Sequence, residues 1–249
     1  MRIADGVEML SLSSQLANGP GIIHPVIIHD ENDVILIDTG LPGQFSQLRD
    51  EFQQAGIPFE RLCKIIITHS DIDHIGGLST IQNELPKKAE VLSTIEEKPH
   101  IECEKPPIRL AQIGESLKFL KGDQYTMMKG LYDNLSANYK NLKADVGRIL
   151  EDGEELPSLG GIKIIFTPGH TPGHICIYLK KYKLLIAGDA LNVENDELVP
   201  SPEFLTLNKV AAASSLKKLT QLDIDTVICY HGGVCNKDVN SRMSELAGV

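Results

Sequence analysis

The sequence predicts a mixed α/β fold in which two strand-rich parts, residues 1–92 and 146–249, flank a mainly helical insert at about 93–145. Three observations carry that reading. Short β-branched runs bounded by turn residues recur in both outer parts. Segments of helical length lie between those runs. From Asp123 onward the apolar positions 128, 131, 132, 135, 139 and 142 step by three or four, as one helix face does.

The elements follow in order. "GIIHPVIIHDENDVILIDTG" reads as a hairpin, with strands at His24 to His29 and Val34 to Asp38 around a polar turn at Asp30 to Asp33. Further strands are expected at "KIIIT" (64–68), "AEVL" (89–92), "IKIIF" (162–166), "ICIYL" (175–179), "KLLIA" (183–187) and "DTVICY" (225–230). Helices fit at about 44–55, 76–84 and 206–221. In the insert, the prolines of "EKPH" and "EKPP" interrupt regular structure before Asp123, which is placed to cap the helix that follows. "VGRILEDGEEL" then returns to strand and turn around Asp152-Gly153. Both outer parts deliver polar loops after strands, which suits two similar layers facing one another.

With 249 residues the chain has ample length for a buried core, as one large domain or two small ones. Its 42% hydrophobic and 23% charged content is that of a soluble globular protein, and no apolar run reaches the length of a membrane span. The opening "MRIADGVEML" carries Asp5 and Glu8 where a signal peptide needs an apolar stretch, so a cytoplasmic location is expected. A net charge of −10 argues against nucleic acid as the main partner and leaves a small molecule as the expected one. Five cysteines (63, 103, 176, 229 and 235) form an odd set without CxxC spacing, which gives no disulfide framework.

Chemistry concentrates where strands end. "KIIIT" is followed by His69, Asp71, Asp73 and His74. "IKIIF" is followed by "TPGHTPGH", with His170 and His174; "KLLIA" by Gly188-Asp189; and "DTVICY" by His231-Gly232-Gly233. A loop at a strand end can turn several side chains inward at once, which an alternating strand cannot. A lone histidine is ordinarily a hydrogen-bonded structural residue. Four strand ends that all deliver His or Asp beside Gly or Pro point instead to a metal site.

His-x-Asp-x-Asp-His after a strand, "TPGHTPGH", "GDA" and "HGG", in that order and preceded by "LIDTG" at 36–40, resemble the metallo-β-lactamase fold hydrolases. The resemblance covers both strand-rich parts; the insert lies outside the motifs. It implies a four-layered αββα sandwich with a two-metal site at one edge between the sheets; the chain is read as a single domain over 1–249, with the insert at about 93–145 as a candidate lid on the strength of its own apolar face. Carried over by motif, His69, residue 71 and His170 would hold one divalent ion. Asp73, His74 and His231 would hold the other, with Asp189 bridging both. Zinc is the first expectation.

Asp71 departs from the pattern, since the family usually has histidine there. Either the aspartate coordinates as a harder, anionic ligand and shifts preference toward manganese or iron, or its shorter reach leaves it outside and the first ion binds weakly. A carboxylate added next to Asp73 without a cation would be electrostatically unfavourable, which favours coordination. The flavodiiron proteins, a resembling branch, carry glutamate at this place and bind two irons. Around the ligands, Asp38 could orient a ligand histidine or cap a turn, and Gly76-Gly77 could meet an anion at a helix start or merely pack tightly. His174 is a supporting residue by resemblance. Asn192 stands where one group of lactonases has tyrosine, which weakens a claim to acyl-homoserine lactones. Cys229 and Cys235 fall outside the family's ligand spacing, and His24, His29 and His100 lack partners in sequence.

The reading that results is a dinuclear metal-dependent hydrolase. A metal-bridging hydroxide would attack a small ester, lactone or thioester, with Asp73 orienting it and relaying a proton. An iron-bound oxidoreductase and a metal-binding protein without turnover are the alternatives. In the insert, Met128, Leu131, Tyr132, Leu135 and Tyr139 either seat the helix on the core or line a substrate lid, and Tyr125 and Met127 could face the opening.

Overall fold

The β-branched runs assemble into two facing sheets in the computed structural model, which describes residues 1–16 and 19–249. The first part of the chain gives β1 (Arg2–Ala4), β2 (Val7–Met9), β3 (Leu12–Leu16), β4 (Gly19–Ile23), β5 (Val26–His29), β6 (Val34–Ile37), β7 (Leu62–Ile66), β8 (Glu90–Ser93) and β9 (Arg148–Ile149). Strands β3 and β4 pair as a hairpin; the others form one sheet in the order β1-β2-β5-β6-β7-β8-β9. Then come β10 (Glu155–Leu156), β11 (Ile162–Phe166), β12 (Ile175–Leu179), β13 (Leu184–Ile186), β14 (Leu191–Glu194), β15 (Glu197–Pro200), β16 (Thr226–Cys229) and β17 (Gly233–Cys235). Strands β14 and β15 form a second hairpin, and the rest make a sheet in the order β10-β11-β12-β13-β16-β17.

Period-two alternation sorts their side chains into layers. Ile28, Ile35 and Ile66 of the first sheet pack against Ile164, Ile177, Ile186 and Ile228 of the second in one buried cluster. The intervening residues Ile27, Leu36 and Ile65 point the other way, onto Leu48 and Phe52 of α1 (Phe45–Gln54), with α2 (Ile72–Ile75) and α3 (Leu78–Glu84) close by; Leu78 and Ile81 of α3 join them. The insert supplies α4 (Lys98–Ile101), α5 (Ile108–Ser116) and α6 (Gly122–Asn138). On the far side, Ile165, Cys176, Leu185 and Val227 meet α7 (Lys209–Leu219) through Leu216 and Leu219, and α8 (Val239–Ala247) through Val239 and Met243. Four layers result, helix-sheet-sheet-helix. Each fully buried aliphatic side chain contributes about 1.5–3 kcal/mol.

Strand direction decides where the polar loops go. Strands β6, β7 and β8 run parallel, so the chain leaves all three at the same edge of the first sheet. In the second sheet β13 is parallel to β16, and β11, two antiparallel steps away, shares their direction. The segments after β7, β11, β13 and β16 are those that carry the histidines and aspartates.

The insert helix differs from the sequence expectation at its start. Lys121 occupies the N-cap position and Asp123 falls within the first turn, with no side-chain cap bond to the backbone. Its inward stripe is narrow: Leu135 is buried, Met128, Tyr132 and Tyr139 are half-buried, and Leu131 is 47% exposed. Tyr132 packs on α5, where a Cβ on Gly114 would lie 3.2 Å from its ring. Among the described residues no helix is long and apolar enough to cross a membrane.

The glycine pair shows why small residues stand before α3. A Cβ on Gly76 would come within 2.3 Å of the Pro42 ring, and one on Gly77 within 2.3 Å of the Thr39 carbonyl oxygen. Tight packing of the β7–α3 loop against residues 39–42 is their role. Gly77→Ala therefore lowers unfolding free energy by about 1–3 kcal/mol in urea titrations. Gly130→Ala, in open space on α6, instead raises it by up to about 1 kcal/mol.

Candidate metal centre

The segment after β7 is held by Asp38, which ends β6 in a left-handed conformation with φ 60°. Its Oδ1 accepts the Thr68 N–H at 2.9 Å, and its Oδ2 accepts the Thr68 hydroxyl at 2.7 Å and His74 Nδ1–H at 2.8 Å. The Thr68 oxygen in turn lies 3.1 Å from His69 Nδ1 and accepts its proton. Of the two readings of Asp38, orientation of a ligand-type histidine is the one that its contacts match. Both rings are left with Nε2 facing the cavity, the tautomer that second-sphere carboxylates commonly fix.

The second sheet contributes the opposing groups. His170 Nδ1 is 2.9 Å from the Ser201 hydroxyl, which leaves its Nε2 lone pair pointing inward. Burial depresses the His170 pKa, which favours the neutral ring. His174 places Nδ1 2.9 Å from the Thr167 hydroxyl and accepts the Asp189 N–H through Nε2 at 3.0 Å. Burial, with His69 and His170 nearby, holds the His174 pKa well below its ordinary value. His174 thus fixes the backbone of Asp189, and only glycine fits at 188: its φ is +50° and a Cβ would sit 2.7 Å from His174 Nε2.

Two groups of ligand-type atoms emerge, His69 with His170 and Asp189, and Asp73 with His74 and His231. Asp189 reaches both, with Oδ1 3.3 Å from His74 Nε2 and Oδ2 3.5 Å from His170 Nε2 and 3.4 Å from His231 Nε2. Asp73 Oδ2 is 3.3 Å from His231 Nε2 and 3.7 Å from His74 Nε2. Asp71 Oδ2 joins the first group, 3.4 Å from His69 Nε2 and 3.1 Å from His170 Nε2. Ligand atoms ~2.0–2.1 Å from a tetrahedral zinc stand about 3.3–3.4 Å from one another. The separations lie near that spacing, those of Asp71 Oδ2 included. Moreover, His69 Nε2, His74 Nε2 and Asp189 Oδ1 are buried without any hydrogen-bond partner. Buried polar atoms left so are costly, and a cation between them satisfies all three.

The charges are mutually dependent. Burial alone would lower the His231 pKa, but Asp189 and Asp73 outweigh it and push it up to about 10. Burial opposes the charge on His74 as well, and Asp38, Asp189 and Asp73 overcome it to raise that pKa well above the usual value. For Asp71 and Asp189 burial works against ionisation, yet the neighbouring imidazoles hold both carboxyls well below the ordinary range.

Two residues absent from the sequence reading complete the centre. Glu97, fully buried just before α4, accepts the Ser70 N–H at 2.9 Å, the Ser70 hydroxyl at 2.5 Å, the Thr171 hydroxyl at 2.7 Å and the Gly173 N–H at 2.8 Å. It ties the loop after β7 to the loop after β11. Nothing in "IEEKPH" sets it apart from its neighbour Glu96. Arg109 of α5 donates from Nε to Asp71 Oδ2 at 2.7 Å and from Nη2 to His170 Nε2 at 2.7 Å. The demand of Asp71 for a cation was assigned to a metal ion, and the position of Arg109 38 residues downstream carried no signal.

The remaining candidates are scattered. Asn192 on β14 has its Oδ1 buried and unpartnered. Tyr132 belongs to the α5–α6 contact described above. Cys229 and Cys235 lie in the apolar layer under α7 and α8. His24 Nδ1 bonds the Leu10 carbonyl at 2.8 Å, and His100 Nδ1 the Pro106 carbonyl at 2.6 Å.

Sheets, helices and a His/Asp cluster of this kind define a metal-binding sandwich. The Metallo-beta-lactamase superfamily profile matches residues 18–231, and the chain belongs to that superfamily. It is similar to the probable metallo-hydrolase YflN of Bacillus subtilis, 28% identical over 258 residues, covering 98% of this chain and 90% of that one. YobT of the same organism, an uncharacterized protein, is 29% identical over 214 residues, covering 83% and 81%. The metallo-beta-lactamase family protein TTHA1429 from Thermus thermophilus shares the fold, with a TM-score of 0.75, 21% identity and 99% and 80% coverage. So does the metallo-beta-lactamase FIM-1 from Pseudomonas aeruginosa, solved in a mono-zinc form, with a TM-score of 0.69, 14% identity and 100% and 93% coverage.

Two outcomes follow. Glu97→Ala strands the buried Ser70 and Gly173 amides and lowers stability by on the order of 3 kcal/mol, read by chemical denaturation. His231, its pKa pushed up to about 10, carries a proton at pH 7.5 in the metal-free chain, and the raised pKa of His74 favours its protonated form there too. A ligand nitrogen must be bare, so ion uptake releases protons. Calorimetric heats of zinc uptake then differ between buffers of different ionisation enthalpy; equal heats would contradict the raised values.

Proposed function

We propose that the chain is a metal-dependent hydrolase of a small ester, lactone or thioester, and that its two groups of ligands each hold a divalent ion, zinc foremost. His69, Asp71 and His170 hold one, Asp73, His74 and His231 the other, and Asp189 serves both. The observation that carries this is the inward-facing set of buried, unpartnered atoms, His69 Nε2, His74 Nε2 and Asp189 Oδ1. The similarity to the probable metallo-hydrolase YflN supports the hydrolase part of this reading, and FIM-1, which shares the fold, was solved with one zinc.

Divalent ions bound there supply Lewis acidity and a water of lowered pKa, so no serine or cysteine nucleophile is required. The chain's own groups do the rest. Asp73 and His231 keep 19% and 23% of their side-chain surface, whereas His69 and His74 have none exposed. Substrate therefore approaches over Asp73 and His231. Asp73 orients the attacking water and passes its proton to the departing alkoxide or thiolate as the acyl–oxygen or acyl–sulfur bond breaks. Asn192, whose Oδ1 is buried and unpartnered on β14, is assigned to orienting the substrate. The insert reaches the same cavity through Arg109 on α5.

Asp71 favours a second reading. An oxygen ligand in place of nitrogen suits manganese or iron, and an iron-bound oxidoreductase would use that preference.

Turnover of a panel of aryl esters, lactones and acyl thioesters tests the proposal. Chelator treatment abolishes it and zinc or manganese restores it. His170→Ala lowers kcat/KM beyond the ~10–100-fold typical of a supporting residue. Oxygen consumption by an iron-loaded chain that turns over none of these substrates would select the oxidoreductase.

A further inference from the structure

Arg109 raises a question that the ligand set alone does not. It projects from the insert, its side chain is only 12% exposed, and its guanidinium nitrogens are all directed at acceptors. Nε takes Asp71 Oδ2, and Nη2 takes His170 Nε2 at 2.7 Å and the His170 carbonyl at 3.4 Å. Nη1 takes the Leu205 carbonyl at 2.6 Å and Gln112 Oε1 at 3.1 Å. Gln112 is itself tied to the Phe204 carbonyl, so the guanidinium is aimed from two sides. The lone pair of His170 Nε2 is the one that a first ion needs, and it cannot serve both partners. Asp71 Oδ2 is shared in the same way.

What the guanidinium leaves over is informative. With Arg109 docked, the second group, Asp73, His74 and His231, bonds nothing from the guanidinium and stands open to a cation, whereas the first is engaged at two of its ligands. Asp71 and His170 are already satisfied.

We infer that Arg109 is a built-in cation that competes with the first metal ion for Asp71 and His170, so that the two sites load unequally and filling the first one displaces α5 from the centre. One ion binds tightly with the insert docked. The other binds only as the guanidinium withdraws, because two cations cannot occupy one set of lone pairs and repel each other at that distance. The residue at which this chain departs from the family pattern and the arginine of the insert thus act as a pair. This rests on the proposal that the cluster holds divalent ions.

Zinc titration calorimetry and elemental analysis after desalting test it on the intact chain. The wild type retains about one ion per chain after desalting and shows a second, weaker uptake. Arg109→Met keeps the length and removes the charge; it tightens the weaker uptake by about 10-fold or more, the size expected for a group next to the ligands. Gln112→Ala touches no ligand and shifts the same uptake in the same direction by less. Amide exchange in Ile108–Ser116 rises as the weaker site of the wild type fills. A residue that merely braces the ligands would do the opposite, and weaker binding in Arg109→Met overturns the inference. So does equal, tight uptake of two ions by the wild type, or unchanged exchange in α5. Failure of every variant to take up any ion overturns the metal reading as well, which separates the two.

Discussion

The centre depends on how buried negative charge is balanced. Asp38, Asp71, Asp73 and Asp189 converge within the reach of four imidazoles, at the edge of two sheets whose other contents are almost wholly aliphatic. An ionised carboxylate in such a place costs several kcal/mol unless a countercharge meets it. Three kinds of countercharge are available: protons on His74 and His231, the guanidinium of Arg109, and divalent ions. Exchange among these three is the chemistry that the scaffold makes possible.

That exchange requires loops that do not relax when a charge leaves. Asp38 locks Thr68, His69 and His74 through one carboxylate. Glu97 clamps the first loop to the third, and His174 holds the backbone of Asp189. These three groups face away from the cavity or sit behind the ligand atoms, and each leaves a ligand-type atom pointing inward. Beneath them, the layering of Ile28, Ile35 and Ile66 against Ile164 and Ile177 provides the hydrophobic stability that offsets the electrostatic cost.

How much of this the sequence carried follows from the range of each interaction. Strands β11 and β12 fall on "IKIIF" and "ICIYL" because burial on both faces of a sheet selects apolar residues at nearly every position. The ligand candidates were legible for a related reason: each follows such a run directly, at fixed spacing, so local pattern reports them. The short strands β1 to β4 and the hairpin β14–β15 carry weak or mixed patterns, and their pairing is decided by partners in the fold. Helix α2 is a single turn within the histidine loop and shows no periodicity. Glu97 and Arg109 act across 27 to 76 and 38 to 61 residues of chain respectively, distances over which sequence spacing says nothing. Charge reasoning asked for a cation beside Asp71 and assigned that part to a metal ion; it did not point to Arg109. The capping role expected of Asp123 failed by two positions, since Lys121 already holds extended geometry there and the helix starts at Gly122.

The distribution of exposure divides the centre into unequal halves. Asp71 and His170 lie under the insert and face Arg109, while Asp73 and His231 face the opening. On the proposed function, a cation on the open side would sit at the more exposed residues, and one on the covered side would have to displace Arg109 to enter. Asp189 spans the two halves, so charge gained on one side is felt on the other through a single carboxylate. Helix α5 reports the state of the covered half because its arginine is the occupant that must leave. The same helix is anchored through Gln112 to the segment at Phe204, next to Ser201, which orients His170. The proposed occupancy of the covered half, the position of the insert and the orientation of His170 thus meet in one hydrogen-bonded network around Arg109 and His170.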